Sequence, residues 1–256
     1  MIRLQNPALG QVTFLLNFKE PQTNIRFAQG DAEVAFGSFG AGQSQQTNVP
    51  DAADPSMPRI IFAKDRNSIA ISQISVQYTR GAVPRPHGTL DQQLQTVVEE
   101  IQNFYRQALE FRPAHQYVHE AVIVQINYPS SESMADLHKY VYDRFISFRP
   151  LGELASVQLQ IGFKINDLYF NLGASVYQTR HFEWKSPAQA GINPSTVMLA
   201  LNSGKLIEKG LQFTIDVNDR PRHEVGRSKD AATPDKLLET ICRFTREQLP
   251  TIVSDK

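Results

Sequence analysis

The sequence has few of the residues from which chemistry is most readily inferred. Its 256 residues include one cysteine and one tryptophan, and 26 Lys and Arg balance 26 Asp and Glu. A single cysteine, Cys242, excludes an internal disulfide and a cysteine-cluster zinc site, which is typical of a reducing compartment. Zero net charge excludes a global field that would draw the protein to nucleic acid, an anionic membrane or an acidic substrate. No apolar run approaches the ~18 residues of a membrane span. We therefore predict a cytoplasmic protein that does not associate with membranes.

Catalytic signatures are also missing. The glycines of Gly40-Ala41-Gly42 are not followed by Gly-Lys-Ser or by a capped helix, which argues against a phosphate-binding loop, and there is no Gly-x-Ser-x-Gly elbow. His115 and His119 have the four-residue spacing of helical zinc ligands. The β-forming residues from Val118 predict a strand instead, in which these rings would lie about 13 Å apart. The sequence thus predicts no metal site and no cofactor, and it argues against an enzyme.

One order of elements occurs twice, over about 12–111 and again over about 118–249. It consists of alternating apolar strands, a polar stretch and one amphipathic helix, which predicts an α+β fold of antiparallel curved sheets, each with a long packed helix. We interpret the pattern as a pseudo-duplication with halves at 1–113 and 114–256, which can also form one continuous domain. The second half has the strand, helix, strands, helix order of helix-grip domains, whereas the first half lacks the early helix.

Local signals predict several elements and their ends. Thr89 followed by Gln92 is a capping box that begins a long helix, and Asn166-Asp167 supplies the turn of a hairpin. The polar segment 37–58 predicts a long mobile loop. The apolar phase slips between Ile71 and Ile74, which predicts a β-bulge within a strand over 68–78.

A histidine and several carboxylates on different predicted strands suggest a cup in the second half. A carboxylate and a histidine that converge in an apolar cup can perform acid–base chemistry. Alternation with apolar neighbours favours the opposite interpretation, in which these groups point outward. The residues of this candidate ligand pocket are Trp184, His181, Glu183, Glu208 and Asp216.

Aromatic and basic side chains suggest a binding surface. Tyr169, Tyr177 and Arg180 lie on hairpin strands and can form an exposed protein interface, since aromatic residues and arginine dominate binding hot spots. The exposed strand edges predicted at 59–63 and 181–185 offer strand addition as a second route to a protein partner.

The basic segment 220–229 can contact phosphates. Interleaved acids and the absence of a stacking aromatic favour a solvated loop there, which makes nucleic-acid binding the weaker interpretation. Its candidate contacts are Arg220, Arg222 and Arg227.

The layout and the segment Gly210-Leu211-Gln212-Phe213-Thr214-Ile215-Asp216-Val217 before a closing helix resemble a known family. The chain is similar to the sporadically distributed, uncharacterised bacterial family of two-part α+β proteins, which share a strand-to-helix step like 68–109 and an ending like 210–249. Gln125-Ile126-Asn127-Tyr128 stands where the family has Arg-Tyr-Ile-Asn. The resemblance implies a small cytosolic accessory protein, in a defence-related gene context, and supplies no catalytic residues.

These observations favour a non-enzymatic interaction protein that binds a protein partner through its sheet edges or the 37–58 loop. The alternative is a small-molecule-binding or enzymatic helix-grip-like domain with its cup near Trp184. A weaker alternative is nucleic-acid binding through 220–229.

Overall fold

Strands and helices are interspersed along the computed structural model, which describes residues 2–39, 44–83, 87–181, 204–224 and 233–254. The strands of these ranges are β1 Ala8–Phe18, β2 Ser44–Gln46, β3 Ile60–Lys64, β4 Asn67–Ile71, β5 Ser75–Arg80, β6 Tyr117–Pro129, β7 Gln158–Ile165, β8 Leu168–His181 and β9 Lys205–Asn218. The helices of these ranges are α1 Gln29–Phe36, α2 Leu90–Phe111, α3 Met134–Phe145, α4 Arg220–Glu224, α5 Thr233–Glu247 and α6 Leu249–Val253.

The nine strands form one antiparallel sheet in the order β2-β3-β4-β5-β1-β6-β9-β8-β7. The predicted α+β class is therefore confirmed. Two compact units divide the chain: the first takes its described residues from 1–7, 127–159 and 173–213, and the second from 8–126, 160–172 and 214–256. The boundary proposed between 113 and 114 stays a prediction.

The core of the second unit forms where α2 packs on one face of β1. Phe14 of β1 contacts Phe104 and Tyr105 of α2 in edge-to-face geometry, with ring centroids 5.8 and 6.2 Å apart. The helix begins at the predicted capping box, in which the Thr89 hydroxyl accepts a hydrogen bond from the Gln92 N–H and the Gln92 side chain accepts one from the Thr89 N–H. The long helix is thus fixed both by its cap and by its buried aromatic face.

Helix α5 joins the same unit beside α2. Gln102 of α2 donates a hydrogen bond to Asp235 at 3.0 Å, and Arg246 of α5 reaches Asp91 at 2.9 Å. In the first unit, Tyr128 of β6 packs edge-to-face on Phe213 of β9, at 5.8 Å between ring centroids. None of the helices in the described ranges has the length and apolar character needed to cross a membrane.

The predicted β-bulge near Gln73 is wrong, because the chain reverses there. Residues 68–78 form two strands, β4 and β5, which pair antiparallel with Ile71 opposite Val76. The buried Ser72 hydroxyl accepts hydrogen bonds from the Ile74 and Ser75 N–H groups and thereby closes the turn. The apolar phase slips because the strand ends and a new one begins.

The segment predicted as a loop over 37–58 contains regular structure in its described part. Residues Gly37–Phe39 form a 3-10 turn and Ser44–Gln46 form β2, which pairs with β3. Helix α1 precedes them, so the expectation that the first half lacks an early helix is also wrong. Only Ala32, Ala35 and Phe36 of α1 are buried, and a stripe dominated by small alanines gives little amphipathic signal. The mobility of this segment stays a prediction.

The predicted hairpin at Asn166-Asp167 is confirmed. Asn166 adopts a positive φ of 55°, a conformation that asparagine tolerates better than most residues. The exposed strand edge predicted at 59–63 is wrong, because β3 pairs with β2 on one side and with β4 on the other. Of the edge predicted at 181–185, only His181, at the end of β8, lies within the described residues. The start of the predicted 220–229 loop is helix α4.

Candidate interaction site

The two edges of the sheet that the described strands form are built differently. β2 ends the sheet on one side and has only three residues, Ser44–Gln46, all of them polar. β7 ends it on the other side and has eight residues, Gln158–Ile165, with Lys164 as its only charge and no proline. Natural edge strands are usually kept from pairing by shortness, charges, proline or bulges. β2 has the first of these protections, whereas β7 has a single lysine.

Large apolar side chains are exposed along the β7 edge. Phe163 is 47% exposed and Ile165 is 38% exposed. The Phe163 ring lies 6.3 Å from that of Phe170 in β8, and Phe170 lies 4.8 Å from Phe244 of α5. Phe163 is thus the exposed end of an aromatic row that leads into the core of the second unit.

Polar side chains surround the hairpin that carries this edge. The Tyr169 hydroxyl donates to the Glu224 carboxylate at 3.0 Å, which joins β8 to α4. This carboxylate raises the pKa of Tyr169 because the hydrogen bond favours the protonated phenol. Asp216 accepts hydrogen bonds from Asn171 at 3.1 Å and Asn218 at 3.2 Å. Asp216 is therefore held by two amides of its own sheet.

His119, whose spacing from His115 matches helical zinc ligands but whose strand pattern argues against a metal site, lies in the same unit. The Asn17 amide lies 3.2 Å from Nδ1 of His119. Phe14 and Leu16 of β1 face α2, and Asn17 points to the other face of the sheet. The Asn17 and His119 side chains therefore meet on the face opposite α2. Desolvation, with smaller electrostatic contributions from Arg220 and His223, lowers the pKa of His119 to about 4. The ring is therefore neutral at pH 7 and can exchange hydrogen bonds but carries no charge.

The sequence alone does not show that His119 lies near Asn17, Arg220 and His223, because these residues come from three separate elements, β6, β1 and α4. The available signal was weak: His119 precedes a run of apolar residues in a predicted strand, on the face opposite Val122 and Val124. Nearby, the Glu120 N–H donates to the Asp219 carboxylate at 2.7 Å and the Asp219 N–H donates to the Glu120 carbonyl at 3.1 Å. These buried bonds fix the start of β6 to the end of β9.

The remaining predicted site residues fall into both units. In the first unit, the Tyr177 hydroxyl donates to Glu208 at 2.6 Å, Arg180 donates to the Gly204 carbonyl at 3.0 Å, and His181 is exposed at the end of β8. Burial and the Glu208 hydrogen bond raise the pKa of Tyr177.

In the second unit, Arg222 donates to the Thr233 hydroxyl at 3.1 Å and Arg220 is exposed. Trp184, Glu183 and Arg227 lie outside the described residues. The candidate ligand pocket near Trp184 stays a prediction.

Clefts and metal-binding groups give no stronger candidate in the described part of the chain. A cleft of about 450 Å³ lies between α2 and α5, and one of about 230 Å³ lies beside Tyr78 and Glu100. In the smaller cleft, Glu100 already accepts a hydrogen bond from Tyr78 at 3.0 Å and pairs with Arg80 at 3.3 Å. Among the described residues, no three His, Cys, Asp or Glu side chains are grouped so that they could hold a metal ion.

Comparisons with protein-family models, curated proteins and solved structures returned no match for this chain. The family resemblance and the accessory role that it implies therefore stay predictions, and the geometry of the β7 edge is the basis for a functional proposal.

Proposed function

We propose that the protein is a non-enzymatic interaction protein that binds an extended segment of a protein partner along β7 by strand addition. The observation that carries the proposal is the contrast between the two sheet edges. β7 combines eight residues, one charge and the exposed side chains of Phe163 and Ile165, whereas β2 is short and polar. A bound strand would satisfy the outward N–H and C=O groups of β7 and cover these apolar side chains.

The first half of the chain offers an internal precedent for this binding mode. β2 is an added strand on the outer side of β3, with Ser44 opposite Phe62 and Gln46 opposite Ile60. We propose that β3 and β7 are corresponding strands of a duplicated unit. The first half runs strand, helix, four strands and helix, and the second runs strand, helix, three strands and helix, so the two orders match once β2 is set aside. In the sheet, the order β3-β4-β5-β1 is followed by β6-β9-β8-β7. In this comparison, β2 of the same chain pairs with the outer side of β3, and a strand from a partner would pair with the corresponding side of β7.

The duplication proposal also bears on the helix-grip interpretation of the second half. Its elements β6, α3, β7–β9 and α5 follow the helix-grip order. In the first half, α1 supplies the early helix that such an order requires. We propose that both halves derive from one such unit.

The contacts of the other candidate residues favour the interaction proposal over its alternatives. Glu208 and Asp216 are each hydrogen-bonded to neighbouring side chains, which weakens the case for a free acid–base pair. In the basic segment, Arg222 bonds Thr233, and Glu224 lies two residues away. Glu224 and Asp230 offset part of the positive charge of this segment, which weakens its attraction to phosphates.

A phage-displayed peptide library tests the proposal, with Phe163→Lys as the variant and Gln45→Lys on the β2 edge as its matched control. The expected result is selection of peptides with alternating apolar residues. Their affinity for Phe163→Lys should fall by a factor on the order of ten or more, since a desolvated charge replaces an apolar contact, while Gln45→Lys binds normally. Hydrogen exchange should show protection of the β7 amides by the peptide. Peptides that bind Phe163→Lys as well as the wild type, or that protect a different strand, would overturn the proposal.

A further inference from the structure

The apolar and polar residues of β7 alternate in a way that allows the strand to pair with a second copy of itself. Leu159, Ile161, Phe163 and Ile165 share one face of the strand, and Gln158, Gln160, Gly162 and Lys164 share the other. An antiparallel strand related by a two-fold axis perpendicular to the sheet keeps like faces together. A second copy of β7 would therefore bring apolar side chains opposite apolar ones.

We infer that β7 pairs antiparallel with β7 of a second copy of this chain, with the two-fold axis at Gly162. This inference rests on the proposed function, because it names the occupant of the same edge. In this register, Ile161 lies opposite Phe163 and Leu159 lies opposite Ile165 of the second copy. All four apolar residues then find partners within the strand, and pairs of aromatic and β-branched residues are favourable across antiparallel strands.

Repulsion between the two Lys164 side chains favours the register with its axis at Gly162 over the one with its axis at Phe163. With the axis at Gly162, each Lys164 lies opposite Gln160, and the two lysines are four positions apart, or about 14 Å along the strand. With the axis at Phe163, the two lysines would be only about 7 Å apart along the strand, and Leu159 would fall opposite the turn. The chain as a whole carries no net charge, so two copies do not repel one another at long range.

Pairing with a second copy would cover apolar surface at the exposed end of the aromatic row. Phe163 packs on Phe170, and Phe170 packs on Phe244 of α5, but the outer side of Phe163 is exposed. Ile161 of the second copy would cover that outer side and extend the apolar layer across the axis. A strand pair of this length buries less than the about 1,600 Å² of a standard interface, so we expect a dissociation constant on the order of 10 µM.

Sedimentation velocity of the full chain, from about 1 to about 200 µM, tests the association. The expected result is a concentration-dependent shift from monomer to dimer. Phe163→Lys should raise the dissociation constant at least tenfold, and Gln45→Lys should leave it unchanged. A monomer throughout the range would overturn the inference. So would a dimer that Phe163→Lys does not weaken.

A cross-link tests the register. In a Cys242→Ser background, Gly162→Cys would place two cysteines opposite one another across the axis, within the Cα separation that a disulfide spans. The added Cβ would meet only the Asn171 side-chain oxygen, at 3.0 Å, and that side chain can shift. The expected result is an oxidised dimer from Gly162→Cys and none from Gln158→Cys, which would face Asn166. A dimer that forms equally in both variants would overturn the register.

The two proposals fail separately. If selected peptides bind β7 but the chain remains monomeric, the proposed function stands and self-pairing falls. If peptides do not bind β7 and Phe163→Lys does not alter the sedimentation, both fall.

Discussion

Nη1 of Arg59 lies 2.6 Å from the carbonyl oxygen of Met57, and the Arg59 side chain has no solvent-exposed surface. Its Nη2 lies 3.3 Å from the carbonyl oxygens of Ala53 and Asp54. A buried guanidinium thus satisfies backbone acceptors of the turns that precede β3. These contacts tie the backbone of the polar segment before β3 to a buried side chain.

Replacement of Arg59 should destabilise the protein. Arg59→Met keeps the length of the side chain but leaves the carbonyl groups without their donor, so the free energy of unfolding should fall by about 3 kcal/mol. Urea unfolding measures this loss, and limited proteolysis should show faster cleavage at 51–57. Arg66→Met is the control, because Arg66 is exposed and bonds a single carbonyl, that of Ala82. Similar losses from both variants would contradict the role assigned to Arg59.

His119 should make stability depend on pH. Its pKa is about 4 in the folded protein against an ordinary value of 6.5, so the unfolded chain binds more protons between these values. Stability is fully present above pH 6.5 and is lost as the pH falls from 6.5 towards 4. Because the ring is only partly buried, we expect a loss of about 1–2 kcal/mol across this window.

Urea unfolding of His119→Gln at several pH values checks the effect. The variant should have a flatter dependence of stability on pH between 6.5 and 4. His115→Gln, which alters an exposed ring in the turn before β6, should keep the wild-type slope. An unchanged slope in His119→Gln would show that other groups carry the pH dependence.

Gly210 should not tolerate a side chain. A Cβ at this position of β9 would collide with the carbonyl group of Tyr128 and with the backbone of Pro129 in β6. Because backbone atoms cannot move aside as a flexible side chain can, Gly210→Ala should cost about 3 kcal/mol or more. Thermal unfolding against Gly152→Ala, where the added Cβ meets nothing within 4 Å, measures the difference. A melting temperature close to that of Gly152→Ala would contradict this assignment.

The parts of the fold that sequence reasoning found are those encoded by neighbouring residues. Thr89 and Gln92 specify the start of α2, and Asn166 specifies the turn between β7 and β8, because both signals act over three or four positions. The turn at Ser72 was misassigned because its key bonds come from a serine hydroxyl and not from a glycine or proline. Helix α1 was missed because its buried face is largely alanine.

The candidate site depends on relationships that no local pattern contains. β7 is an edge strand only because β8 and β9 pair with one another and β9 pairs with β6, and strand order is not encoded in the alternation of β7 itself. The pKa of His119 is lowered mainly by burial, with smaller contributions from Arg220 and His223, about a hundred positions away in the sequence. The alternation of apolar residues predicts that β7 is a strand, whereas its position at the edge of the sheet depends on how the other strands pair.

The contact between α2 and α5 has a consequence for synthesis of the chain. Asp91 and Gln102 are held by Arg246 and Asp235, and Phe170 packs on Phe244. While a ribosome is still producing residues after 233, the nascent protein lacks these partners and presents uncovered apolar surface beside an open strand edge. A chain that ends before α5 would therefore be prone to aggregation.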